Sequence, residues 1–246
     1  MKTTLIGIDC ATKEDKVGIA LGQLSGESCQ IDNVLVCSKE SPLEYTLTQW
    51  ILDGGRVLLA FDAPLGWPQP MGFTLKEHSA GQPIPVSGNL LFRRNTDLFI
   101  KAEIGQQSLD VGADRIARTA LAALKLLANL RDALHEEVPL AWTPDFAHRV
   151  AAIEVYPAAT LKARGLSPRG YKAVSDLEAR RNIISKIRDE VELHVNVSLL
   201  ERHADVLDAV ICVCAAADFL TGRALQPTDR SLAEKEGWIW VRHPAL

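Results

Sequence analysis

Five consecutive apolar residues, Val57-Leu58-Leu59-Ala60-Phe61, stop at an aspartate, Asp62. A run of that kind has no polar face. It suits a strand of a parallel sheet covered by helices on both sides. The run Thr4-Leu5-Ile6-Gly7-Ile8 stops in the same way, at Asp9. An acid at the last residue of a buried strand falls at the strand's carboxyl edge, where open α/β sheets build their sites. Two further acids, Asp205 and Asp208, open the apolar stretch 206–220. One aspartate at a strand end is an ordinary turn or cap residue. Three such positions, able to meet at one edge, exceed what turn chemistry explains.

The remaining pattern orders the elements. Strands are expected at 3–9, 16–21 and 29–36, joined by short connections as an antiparallel meander. A helix at 42–53 follows, stopped by Gly54-Gly55, and then a strand at 56–61. The segment from 64 to about 92 is expected to be a long irregular insertion, because residues 64–89 hold five prolines and four glycines. Helices are expected at 96–104 and 114–134; Ile116, Ala120, Ala123, Leu127 and Leu130 form one stripe of the second. A strand at 150–155, helices at 158–163, 176–191 and 204–220, and a terminal edge strand at 237–241 complete the order. Right-handed parallel crossovers then predict one α/β domain over 1–246. Its mixed five-stranded sheet would run 3-2-1-4-5, with strand 2 antiparallel and helices flanking it. This is the ribonuclease H-like arrangement. It sets Asp9 beside Asp62 and lets the last long helix deliver Asp208.

Composition excludes several classes. Hydrophobic residues make up 47% and charged residues 24%, enough for a full core without staples. The longest apolar stretch is interrupted by Asp208 and Asp218 and is too short to span a bilayer, so no membrane partner is expected. The first residues lack a signal-peptide pattern. The five cysteines are odd in number and without zinc-finger spacing. Both observations point to a reducing cytoplasm. The net charge of −4 argues against a protein coated in basic patches. Residues 88–188 nevertheless hold 16 Lys and Arg against 11 Asp and Glu. That excess reads either as an anion-binding face or as solvated helix surface.

Six stretches resemble the DUF429 family, whose members are described as predicted nucleases of ribonuclease H-like fold. They are Gly7-Ile8-Asp9-Cys10-Ala11, Asp62-Ala63-Pro64-Leu65-Gly66-Trp67-Pro68, Arg94-Asn95-Thr96-Asp97, Glu154-Val155-Tyr156-Pro157-Ala158-Ala159, Tyr171-Lys172 and Asp205-Val206-Leu207-Asp208-Ala209. The resemblance implies a hydrolase that cleaves a phosphodiester, with nucleic acid as its expected partner. Enzymes of that fold hold two divalent metals about 3.5–4 Å apart on carboxylates. Magnesium and manganese, the expected cofactors, prefer such oxygen ligands. Asp9 would bridge both ions, with Asp62 on one side and Asp208 on the other. Asp205, one helical turn before Asp208, reads either as an assisting ligand or as a helix cap.

Glu154 stands inside an apolar strand, where a carboxylate is costly unless paired. It reads either as an added ligand or general base, or as the partner of Arg115 or Arg118. Arg94, Arg115, Arg118 and Lys172 are candidate phosphate contacts, as is Arg169, since guanidinium groups clamp phosphate oxygens. Arg115 and Arg118 read equally as solvated helix surface. Asp97, beside Arg94 in its motif, is carried with it as a substrate-binding candidate. Tyr171 reads either as a platform for a base or sugar or as a surface tyrosine. Two other functions fit the fold: a phosphotransferase of the actin and sugar-kinase type, and a non-catalytic nucleic-acid or ligand-binding module. The turn Cys10-Ala11-Thr12-Lys13-Glu14-Asp15 has no glycine and so disfavours the first. No motif specifies DNA, RNA or an oligomeric state.

Overall fold

A computed structural model describes residues 2–173 and 175–245. In chain order, β1 (Lys2–Asp9), β2 (Gly18–Ser25) and β3 (Ser28–Val36) form the meander, and α1 (Leu43–Asp53) leads to β4 (Arg56–Asp62). The short helices α2 (Gln69–Lys76) and α3 (Gly88–Phe92) follow, then α4 (Asn95–Glu103) and the long α5 (Asp114–Leu134). After β5 (Val150–Glu154) come α6 (Pro157–Ala163), α7 (Leu177–Ile187), β6 (Val191–Leu193), α8 (Val197–Arg202), α9 (Ala204–Leu220) and α10 (Arg230–Glu236).

The sheet is mixed, six-stranded and ordered β5-β4-β1-β2-β3-β6. The expected five strands are therefore corrected to six. β6 pairs parallel with β3, Cys29 opposite Val191. Three residues are too few to show a period, so this strand hides behind the expected helix 176–191, which ends at Ile187. The insertion is also corrected: 64–92 is not irregular throughout but holds α2 and α3. Pro68 and Pro70 stand before and inside the first turn of α2, where a missing N–H costs nothing. The terminal strand expected at 237–241 is reduced to a single bridge, Ile239 opposite Glu154, with Trp240 N–H donating to the Glu154 carbonyl at 2.9 Å. Thr96 draws that segment off the sheet, since its hydroxyl accepts from Ile239 N–H at 2.9 Å.

Side chains of a strand alternate between faces. Leu5, Leu58 and Ala60 join the core on the α9 side, while Ile6, Ile8, Val57, Leu59 and Phe61 join the core under α1 and α5. By that alternation Asp9 and Asp62 belong to the α9 side. Glu154 does not. It follows Val150 and Ala152, which face α5, and pairs with Phe61.

The central helix α9 is apolar all round because it is covered all round. It lies unusually close to the sheet. A Cβ on Gly7 would stand 1.9 Å from the Ala209 carbonyl oxygen, and one on Gly18 would stand 2.2 Å from that of Asp205. Only glycine lets the helix approach so near.

Candidate metal centre

β1 and β4 run parallel, and their register sets Asp9 directly beside Asp62. α9 crosses above, and Asp208, four residues into it, is fully buried against them. One carboxylate oxygen from each of Asp9, Asp62 and Asp208 falls within 4.8 Å of the others. Tyr171 and Lys172, on the loop before α7, close the group from above. The Tyr171 hydroxyl donates to Asp208 Oδ1 at 2.7 Å, and Lys172 Nζ donates to Asp208 Oδ2.

Such crowding is electrostatically expensive. Burial pushes the Asp9 carboxyl well above the ordinary carboxylate range, and the charges of Asp208 and Asp62 push it further. Asp62 is pushed up to about 7, chiefly by burial and then by Asp208, against the pull of Lys172. Asp208 is also raised by burial, although Lys172 and Tyr171 hold it down. The same carboxylates raise Lys172 above its ordinary value despite its partial burial. Asp205 is only partly buried and stands outside the trio, but its charge still reaches Asp9 and Asp208. Three carboxylates facing one ammonium leave a net −2 when all are ionised.

A cavity of about 270 Å³ opens beside the acids, lined by Asp62, Lys172, Tyr156 and Leu109 among others. Its floor holds a second charged group, distinct in construction. Arg94 and Glu154 form a bidentate pair at 2.6 and 2.7 Å. Arg94 also donates to both oxygens of Asp97 and to the Glu236 carbonyl. All five of its N–H donors are thereby occupied, and it is 1% exposed. Arg94 thus has no donor left for a phosphate; the expectation of a substrate contact there is corrected to a buried strut. Asp97 is engaged likewise, accepting from Arg94 and from the Ser108 hydroxyl at 2.9 Å. Glu154 accepts further from Leu65 N–H at 2.9 Å, which ties the start of the insertion to β5. Its partner is Arg94, not Arg115 or Arg118, because its side chain lies apart from the trio and inward of α5.

Arg115 and Arg118 are exposed on α5, and Arg118 pairs with Asp114 at 2.8 Å. It is Ile116 and Thr119 that this helix turns to the cavity. Tyr171 is 1% exposed, so the reading as an open stacking platform is corrected: it positions Asp208 instead. Lys172 alone of these cations combines an exposed side chain with a place in the cavity. Glu236 is a functional neighbour that the sequence pattern does not mark. Its carboxylate accepts from Gln69 N–H and Asn95 N–H, both at 2.7 Å, locking α2 to α4. An acid at the end of a short helix gives no signal of that role.

The fold and the site together define an α/β protein with a carboxylate cluster at the carboxyl edge of its central parallel strands. The family model described as "Protein of unknown function (DUF429)" matches residues 7–232, and the chain belongs to that family. No curated protein and no solved structure matches the chain. Among the described residues no helix is long and apolar enough to cross a membrane.

Proposed function

We propose that the protein is a metal-dependent phosphodiester hydrolase, a nuclease of ribonuclease H-like type acting through magnesium or manganese held by Asp9, Asp62 and Asp208. The observation that carries the reading is the meeting of three carboxylate oxygens within 4.8 Å, with Asp62 among them lining a cavity. Carboxylates this close would need only a modest side-chain closure to hold one divalent ion together. The donor set is all hard oxygen, which suits these ions. A bound divalent cation would supply Lewis acidity and a water of lowered pKa.

The chain's own residues then have separate tasks. Asp9, in register beside Asp62 and within reach of Asp208, would share a cation with either. Tyr171 holds Asp208 in one rotamer. Lys172 stands at the cavity, where its ammonium can meet a non-bridging phosphate oxygen. Asp205 adds negative potential without reaching the trio. The Arg94–Glu154–Asp97 group keeps the cavity floor rigid. Five free cysteines fit a reducing cytoplasm.

The test is calorimetric titration with manganese, followed by incubation with single-stranded, duplex, hybrid and branched nucleic acids. Manganese should bind the wild type and not Asp9→Asn, and cleavage should vanish in that variant with the fold intact. Cleavage by Asp9→Asn equal to wild type would refute the site. Metal binding without cleavage of any substrate would favour the non-catalytic module.

A further inference from the structure

A second cavity, of about 500 Å³, lies behind the wall of the first and is charged quite differently. Among the described residues its lining includes Lys101, Lys162 and Arg169 and no carboxylate. All three cations are exposed. Lys162 gives one of its three donors to the Gly105 carbonyl at 2.7 Å, which fixes the ammonium at the rim with two donors still outward. The partition between the cavities is one hydrogen-bonded unit. Gln106 donates to the Tyr156 hydroxyl at 3.3 Å, and that hydroxyl donates to the Gln107 carbonyl at 3.2 Å. Tyr156 faces the acid-side cavity, while Gln106 and Gln107 face the basic one. A single loop also carries Lys172 to Asp208 and Arg169 to the second cavity.

We infer that the basic cavity is a binding site for the backbone phosphates of a nucleic-acid strand whose neighbouring phosphodiester lies at the acid cluster. The charge pattern suits a ligand with more than one phosphate. A lone phosphodiester seated at Asp9 and Asp62 leaves the three cations unmatched. A strand presents its next phosphates at regular spacing and would neutralise them. Lys101 and Lys162 stand in the last turns of α4 and α6, where helix carbonyl ends favour a cation, whereas Arg169 lies on the loop before α7 and lacks that reason. The inference rests on the proposed activity only for calling the strand a substrate; the binding stands without it.

The experiment uses a fluorescently labelled single-stranded 12-mer, as DNA and as RNA, and bis(4-nitrophenyl) phosphate as a substrate with one phosphate. Wild type is compared with Lys101→Ala/Lys162→Ala/Arg169→Ala and with the charge-keeping Lys101→Arg/Arg169→Lys, after circular dichroism confirms each fold. Polarisation titrations across a salt series should give at least a tenfold weaker Kd for the triple alanine variant. The slope of log K against log salt should fall by up to about 2, at about 0.7 for each single-strand phosphate that the variant no longer neutralises. The charge-keeping variant should bind like wild type. Manganese-dependent cleavage of the small diester should be unchanged in all three. Unchanged 12-mer affinity and slope in the triple alanine variant would overturn the inference, as would wild type that binds inorganic phosphate but no 12-mer. If the triple variant loses 12-mer binding while wild type cleaves neither substrate, the basic site stands and the hydrolase reading falls.

Discussion

Replacing Asp62 by asparagine should stabilise the metal-free protein, and the gain should depend on pH. Asp62 is pushed from 3.8 to about 7 in the folded chain. The sign follows from linkage. A carboxyl raised on folding binds more protons in the native state, so stability is lost as pH climbs from about 4 through about 7. At about 1.36 kcal/mol per unit, the penalty reaches about 4 kcal/mol at pH 8 and under about 2 kcal/mol at pH 5. Asparagine removes that penalty, but its amide stays dehydrated at the same edge, at a cost of about 1–2 kcal/mol. The net gain is then about 2–3 kcal/mol at pH 8 and close to nothing at pH 5. For a chain of this size that is a Tm rise of about 4–12 °C at pH 8. Thermal melts in chelator at the two pH values measure it. Adding manganese should raise the wild type towards the variant and leave the variant unmoved, because an ion bound only by the native state stabilises by mass action. A variant that melts lower than wild type at pH 8 in chelator, or gains equally at both pH values, would refute the electrostatic account.

Other outcomes follow from the same geometry. Manganese affinity should rise with pH through about 7, because Asp9 and Asp62 are both raised and must lose protons to bind; calorimetry from pH 5 to 8 shows a flat profile if this is wrong. Arg94→Ala should destabilise by about 3–5 kcal/mol by leaving Glu154 and Asp97 buried without their cation, with no change in manganese affinity of the folded protein. A stable Arg94→Ala with weakened strand binding would restore the substrate-contact reading. Gly7→Ala should cost about 1–3 kcal/mol or more and weaken manganese binding by moving Asp208, whereas Gly55→Ala, with open space around it, should do neither.

The strand-terminal acids were legible in the sequence because a buried parallel strand announces itself as an unbroken apolar run, and any charge that ends it stands out. The same local pattern marked α5 and α9 by their extent and apolar faces. Asp208 was visible because an acid amid apolar neighbours needs a reason. Local pattern could not assign partners. Arg94 reads as a free phosphate clamp until the chain brings Glu154, 60 residues away, against it. Tyr171 reads as a surface ring until α9 covers it. β6 needed the β3 edge to exist at all, since three residues carry no period of their own. Composition and periodicity are properties of neighbours along the chain, and they determined the elements and the position of each acid at its end. Which carboxylate meets an ammonium, which meets a guanidinium and which meets only other carboxylates depends on long-range contacts. The close approach of α9 over Gly7 and Gly18, and the face to which β5 turns Glu154, were decided by packing alone.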